Sequence, residues 1–478
     1  MSDHLGLYTD LYQLTMAQGY FLEGASNKIA SFSMNFRKLP FKGGYAIFCG
    51  SDSLLNLIEN FKFNEEDISY LKELEAPYGG RLFEDSFLDY LLNFEMKVDV
   101  LAPKEGSIVF PYEPVVRVDG PIIDCQLIET ALLNCINFQT LAATKAMRIS
   151  SAAKDRAVAE FGLRRAQGTG SMWAAKASYV GGFSSTSNVL AGKKFGIPVS
   201  GTHAHSWVMS FDSELEAFRK YAELFPKNCT LLIDTYSVDE GIKNAIIVAH
   251  EMEKKGEKMA AVRIDSGDLT WESRKVRKKL DDEGLNYVGI VLSNDLDEYK
   301  IESILNEGAQ VNAFGVGTKF ACCYDQPTLG GVYKLNAVKE SDGAKESWTP
   351  KMKVSESPEK TTVPGILNVK RFYDGAGKVA GDMVYDEEQG IVDCTIVDPI
   401  NHIKNKKLCG MQSKTLLRPI MRAGKRIESW TVDDARKWAK SSYDNLDYSR
   451  KRNLYPHIYP VGLELNLSLK RDDMIKRA

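Results

Sequence analysis

The sequence predicts an α/β fold built on a parallel sheet, open or closed into a barrel, with an N-terminal α/β segment before it and a mixed segment after it. Three observations carry this expectation. Four β-rich runs, TLLIDTYS, AAVRIDSGD, VGIVLSND and VNAFGVGT, start at Thr230, Ala260, Val288 and Val311, spaced by roughly 23 to 30 residues. That interval holds a strand, a crossover helix and two loops. The stretches between them, such as Asp239 to Lys255 and Leu269 to Glu283, read as helices. Each run also ends in polar or glycine residues: Asp234, then Asp265-Ser266-Gly267-Asp268, then Ser293-Asn294-Asp295, then Gly315-Val316-Gly317-Thr318. Active sites of parallel α/β folds lie at the carboxyl ends of the strands. One Asp there is a helix cap, but four successive polar ends exceed what capping requires.

The flanking elements follow in order. Thr9 to Phe21 reads as a helix with Tyr8, Tyr12 and Thr15-Met16 along one side, and Ser51 to Phe61 places Leu54, Leu55, Ile58 and Phe61 at helical spacing. Asn64 with Asp67 forms a capping-box signature for the next helix. From Lys97 to Asp119 apolar residues alternate between Pro and Gly, which predicts short strands, and helices resume from Asp124 to about Lys154. AVAEFGLRRA, ASYVGGFSST and GIPVSGTHAHSW are further strand-and-loop units that would complete a barrel. Beyond Tyr333 the periodicity changes: a hairpin signal at Asp374-Gly375 and a late helix capped by Thr431 mark a mixed segment. The expected domains are 1–140, 141–335 and 336–478.

Composition bounds the function. The chain has 478 residues, with 61 Lys and Arg against 64 Asp and Glu and a formal net charge of −3. That balance excludes a polycationic nucleic-acid coat and gives no reason to expect an anionic membrane as partner. An anionic substrate must be met by locally placed Arg, Lys and backbone N–H groups. Eight scattered Cys without a CxxC predict free thiols in a reducing compartment. No signal-peptide pattern opens the sequence and no apolar window approaches the ~18 residues of a membrane span. The expected location is the cytoplasm.

Few residues can do chemistry. Of six His, His203 and His205 form an HxH after a strand. A metal pair of this kind needs a further His from a later strand, and His250 lies inside a helix, so a metal-dependent hydrolase is disfavoured. His203 reads as structural, while His205 is a candidate nucleophile or acid–base group. The FGVGT turn at Gly317 and Thr318 can present backbone N–H groups to a phosphate. In RIDSGD, strand alternation points Arg263 and Asp265 the same way, either as an anion site beside a carboxylate or as a buried ion pair. Arg164 and Arg165 of FGLRR are phosphate ligands or a surface pair.

Taken in order from about residue 7 to 335, YTDLYQLTMAQGYF, FGLRRAQG, GTHAHSWVMSF, LIDTY, VRIDSGD, SNDLDE and FGVGT…LGGVYKL closely resemble the nicotinate phosphoribosyltransferase family, and SPEKTTVPG and KRFYDGAG extend the likeness. The resemblance implies an N-terminal α/β domain, an irregular parallel α/β barrel and a C-terminal mixed extension. It implies joining nicotinate to phosphoribosyl pyrophosphate to give nicotinate mononucleotide and pyrophosphate, with Mg²⁺ and ATP hydrolysis, in NAD salvage. By the same resemblance His205 is the phosphorylated His, Asp265 is catalytic, and Thr202, Phe161, Arg164 and Asn294 line the substrate site. Arg263 matches an arginine that contacts the pyridine substrate, and Thr318, with Gly317, matches the residue holding the ribose phosphate donor. Tyr12 matches an aromatic that stacks on the pyridine and reaches a neighbouring subunit's site, which implies a homodimer with shared sites. Ser187, in FSSTSNV, stands where nicotinamide-using relatives carry an aspartate, and would donate to the nicotinate carboxylate; the competing reading makes it a helix cap. The resemblance assigns no role to His203 and does not identify the Mg²⁺ ligands. Nicotinamide or quinolinate phosphoribosyl transfer is the nearest alternative within the class, and a nucleotide-binding sensor on a degenerate barrel is the non-enzymatic one.

Overall fold

The computed structural model describes residues 4–339 and 347–477. The opening residues 1–3, where the sequence shows no signal-peptide pattern, lie outside the described residues. The chain divides into two compact units, one made of Met1–Leu141 with Thr328–Ala478 and the other of Ala142–Pro327.

The second unit carries the predicted strand–helix repeats. Its six strands run in the order Ser185–Thr186, Ala157–Glu160, Ala313–Val316, Gly289–Ser293, Ala261–Ile264 and Thr230–Leu232. Every neighbouring pair is parallel. Crossover helices Val238–Lys254, Leu269–Asp282 and Glu298–Asn306 join the last four in sequence. Leu231, Leu232, Val262, Ile264, Ile290, Leu292, Phe314 and Val316 are all buried, as strands covered on both faces require. Asp234, Asp265, Asn294 and Gly317 follow the carboxyl ends of four parallel strands and therefore share one rim.

Backbone ladders do not close this sheet into a barrel. The GIPVSGTHAHSW unit supplies only a parallel bridge from Thr186 to Val199. Among the described residues no ladder joins it to Thr230–Leu232. Instead the Leu232 N–H donates to His203 Nε2 at 3.1 Å, so one imidazole stands where a strand pairing would have closed the ring. Pro198 and Gly201 flank the bridge; Pro has no N–H to give a ladder.

In the first unit a seven-stranded antiparallel sheet mixes both ends of the chain. Ile29–Asn35 lies between Val332–Lys339 and Val116–Pro121, and Asp99–Ala102 pairs with Arg418–Arg422. A second sheet of six strands is built wholly from Leu367 onward, packing Leu367, Val369, Val384 and Leu463 against Leu467. The expected capping box of Asn64 and Asp67 forms at the start of Glu65–Lys72, and the expected Thr431 cap of Val432–Asp444 proves to be a box completed by Asp434. The expected hairpin also forms between Leu367–Tyr373 and Val379–Asp386. Its turn differs in detail: Asp374 Oδ1 accepts from Ala376 and Lys378 N–H, and Gly377, not Gly375, takes the left-handed φ of 75°. Cys394 and Cys409 are disulfide-bonded, which departs from the expectation of free thiols throughout; the other six Cys form no disulfide.

Candidate active site

Arg263 organises the rim. It sits on the strand Ala261–Ile264 beside Val291 on one side and Leu232 on the other. Its Nε donates to Ser293 Oγ at 2.8 Å, Nη1 to Thr202 Oγ1 at 3.0 Å and Nη2 to Asp265 Oδ1 at 2.9 Å. Three of the five N–H groups of a guanidinium are thereby engaged, leaving two to face a ligand. The guanidinium also lies 5.3 Å from the Phe161 ring centre. Ser293 Oγ donates to Asp265 Oδ1 at 2.5 Å, so cation, hydroxyl and carboxylate form one connected set. The Arg263–Asp265 pair predicted from alternation therefore exists, and it is a half-open one: its side chains are 13% and 32% exposed.

Asp234 ties the set to the next strand end. Its Oδ2 accepts from the Asp265 N–H at 2.9 Å and the Ser266 hydroxyl at 2.6 Å, while Oδ1 is buried without a partner. Phe161 is held by its N–H to the Val316 carbonyl, 2.8 Å. Its ring lies against Gly315, where an added Cβ would come within 2.4 Å of it. That close approach is why the FGVGT run needs glycine there. Glu160, just before Phe161, is buried and accepts from the Gly162 N–H and from Thr186 Oγ1. Burial pushes its carboxyl above the ordinary range. Ser187 hangs from the same place, its N–H donating to the Glu160 carbonyl at 2.8 Å. The cap of the helix Val189–Phe195 is Asn188, which accepts from Ala191 N–H, so the cap reading of Ser187 is corrected.

The two His differ in what their rings bond. His205 opens the helix His205–Met209, and its Nδ1 lies 3.1 Å from Thr235 Oγ1. His203 is buried, with Nε2 accepting from Leu232 and Nδ1 lying 3.3 Å from the Ala204 carbonyl. Both of its ring nitrogens are used inside the protein, which removes it as a metal ligand. Burial pulls its pKa below the ordinary His value.

Asn294, Gly317 and Thr318 follow the carboxyl ends of two neighbouring strands on the same rim. Asn294 and Asp295 adopt φ of 111° and 40°, sparsely populated conformations for non-glycine residues that concentrate at functional sites. Gly317 precedes the short helix Thr318–Ala321. Arg164 is exposed in the loop after Phe161. Tyr12 belongs to the other unit, where it is 49% exposed on the helix Leu11–Leu22. Sequence reasoning left out Ser293, Thr235 and Asp234 as site residues. The missing signal was strand register: Leu292 pairs with Ile264 and Leu232 with Arg263, which sets Ser293 and Asp234 on either side of Asp265.

A rim of this kind, with an arginine over an aromatic ring, two carboxylates and glycine turns at parallel strand ends, defines a site for a small anionic substrate. Comparison with known proteins specifies it. Residues 7–137 match the nicotinate phosphoribosyltransferase N-terminal domain, 157–389 the nicotinate phosphoribosyltransferase (NAPRTase) family and 367–470 the family's C-terminal domain. The chain is 41% identical over 470 residues to nicotinate phosphoribosyltransferase of Bacillus subtilis, covering 96% of this chain and 93% of that one. It is 33% identical to the human nicotinate phosphoribosyltransferase, covering 96% and 95%. The crystal structure of human nicotinic acid phosphoribosyltransferase superposes with a TM-score of 0.84 at 30% identity over 98% of this chain and 99% of that chain. Nicotinate-nucleotide pyrophosphorylase from Pyrococcus furiosus shares the fold, with a TM-score of 0.70 at 22% identity over 92% and 95%. This chain belongs to the nicotinate phosphoribosyltransferase family.

Proposed function

We propose that the chain transfers the phosphoribosyl group of phosphoribosyl pyrophosphate to nicotinate, in NAD salvage, with ATP hydrolysis coupled through His205. The observation that carries the proposal is Arg263 lying over Phe161 with two N–H groups uncommitted. A flat aromatic anion needs a ring face and a cation, and these residues supply both. The Ser187 hydroxyl adds a neutral donor for the same carboxylate, where Asp would repel it.

In the transfer, the bond from ribose C1 to the pyrophosphate oxygen breaks and a bond from C1 to the pyridine nitrogen forms. Positive charge grows on the sugar as pyrophosphate departs. Asp265 and Asp234 face that charge, and one preorganised group of this kind is worth about 10²–10³ in rate. Gly317, Thr318, Asn294 and Arg164 are the candidates to hold donor phosphates.

For His205, a proton on Nδ1 donating to Thr235 leaves the Nε2 lone pair free. Nε2 attacks the γ-phosphorus of ATP, ADP leaves, and water later releases the phosphate from nitrogen. The phosphorylated ring carries roughly two negative charges.

The residues also fit Mg²⁺. That ion takes one or two carboxylates and completes its shell with water and substrate phosphate, and Asp234 has a buried oxygen without a partner. When bound, Mg²⁺ supplies charge neutralisation to pyrophosphate. A homodimer in which Tyr12 completes a neighbouring site, and a cytoplasmic location, belong to the same proposal. Among the described residues no helix is long and apolar enough to cross a membrane. The deciding assay measures nucleotide formed from phosphoribosyl pyrophosphate with nicotinate against nicotinamide, with and without ATP. Equal use of the two pyridines, or indifference to ATP, would overturn it.

A further inference from the structure

Away from the parallel sheet, the unit made from both ends of the chain encloses a cavity of 390 Å³. That size falls within the roughly 300–1,000 Å³ of small-molecule sites. Four cations line it, Lys104, Arg371, Lys414 and Arg418, and no Asp or Glu does, although the chain as a whole has more acids than bases. Arg371 is neutralised inside the protein by buried Asp382, with Nη2 to Oδ2 at 2.6 Å. Arg418 pairs with Glu428 at 2.7 Å through Nη2, but its Nε is buried with no acceptor.

The two lysines are held differently. Lys104 Nζ lies 4.6 Å from the Trp438 ring centre, and Lys414 Nζ lies 5.8 Å from that of Tyr373. Neither ammonium makes an ion pair among the described residues. The acid that Lys104 faces at longer range is Asp434, whose carboxylate is already committed to Thr431. The helix Val432–Asp444 ends at the cavity with Ser441, Ser442 and its cap Asn445. Its Asp444 carbonyl, which would repel an anion, is taken by Lys378 Nζ at 2.6 Å.

We propose that this cavity is a second ligand site, for a mononucleotide. Phosphate oxygens would meet Lys104 and Lys414, and the base would lie against Tyr373 or Trp438. A bare anion leaves the exposed ring surface uncovered, and a neutral aromatic leaves two ammonium groups without an anion. A ligand carrying both parts satisfies the whole lining. The site is independent of the activity proposed above, because none of its residues belongs to the strand-end rim.

The test is calorimetric titration of AMP, with inorganic phosphate in parallel, into the full chain and four variants whose melting is checked first. Lys104→Glu and Lys414→Glu should each weaken AMP at least about tenfold, since each reverses one charge-assisted contact. Lys414→Arg should stay within about threefold, and inorganic phosphate should bind at least about tenfold more weakly than AMP. In Arg263→Ala, which alters only the rim, this AMP site should persist. AMP binding untouched by both charge reversals, AMP binding lost with Arg263→Ala, or phosphate binding as tightly as AMP would each overturn the proposal.

Discussion

Replacing Arg263 by Ala should cripple nicotinate use while leaving the rim folded. The substitution removes the bonds to Ser293, Thr202 and Asp265 at 2.8, 3.0 and 2.9 Å, together with the contact to Phe161. The rim retains Ser293 to Asp265 and Asp265 to Asp234, so the strand ends keep their connections. On the proposed assignment, what is lost is a contact from the guanidinium to the nicotinate carboxylate. A hydrogen bond to a charged group is worth about 1.5–3 kcal/mol, which is about 10- to 150-fold in kcat/KM. Arg263→Lys restores the charge but not the fork, since one ammonium cannot bridge three partners on three strands or loops, and should still lose about tenfold. Initial rates with nicotinate varied at saturating phosphoribosyl pyrophosphate, then the reverse, separate the two substrates. The KM for nicotinate should rise more than that for the donor. An Ala variant with an unchanged melting temperature and nicotinate kcat/KM within about threefold of the parent would refute the assignment.

Other outcomes follow from the same geometry. His205→Ala should abolish ADP release coupled to transfer yet leave slow, ATP-independent nucleotide formation; persisting ATP turnover would place the phosphate acceptor elsewhere. Ser187→Asp should raise the KM for nicotinate about tenfold or more, through repulsion and an unpaired charge, with a milder effect on the donor, and an unchanged KM would put Ser187 outside the pocket. If sites are shared between subunits, mixing inactive Tyr12→Ala and His205→Ala chains should recover activity, and none after verified subunit exchange would refute sharing. Burial holds the His203 pKa below its ordinary value, so its native form is neutral while the unfolded chain takes up a proton below about 6.5. Its stabilising contribution is therefore present above that pH and is lost as pH falls through the lower folded value; urea midpoints measured from neutral to acid should show a shallower fall in His203→Gln.

What the sequence made legible was local. The runs ending at Asp234, Asp265, Asn294 and Gly317 could be read because a strand buried on both faces is a continuous apolar run, and each is followed by a helix within a few residues. The Asn64–Asp67 capping box and the Thr431 cap were legible because capping signals lie within four consecutive residues. The antiparallel sheet was not. Ile29–Asn35 pairs with Val332–Lys339, some 300 residues away, and nothing in either segment names the other. The disulfide between Cys394 and Cys409 was hidden for the same reason, since scattered cysteines carry no record of which are neighbours in space. Barrel closure is not confirmed: it required a ladder from GIPVSGTHAHSW, where one bridge at Val199 is all that forms among the described residues.

The HxH motif shows why the site itself was only half legible. Spacing makes His203 and His205 equivalent, and in the sequence only the family resemblance separates them, matching His205 to the phosphorylated His and giving His203 no role. The structure separates them by what each ring already bonds. Leu232 N–H has no strand partner on its open side and takes His203 Nε2 instead, which requires an unprotonated Nε2 and fixes the proton on Nδ1 beside the Ala204 carbonyl. That nitrogen is spent on holding the sheet edge. Two residues on, the start of a helix turns His205 so that Nδ1 meets Thr235, and Nε2 makes no hydrogen bond among the described residues. Thr235 follows Asp234, whose other neighbours are Asp265 and Ser266. The His205 contact and the Arg263 set are thus joined through two adjacent residues of one strand end. A shift of the Thr230–Leu232 edge would move both together, and His203 is the group that holds that edge in place.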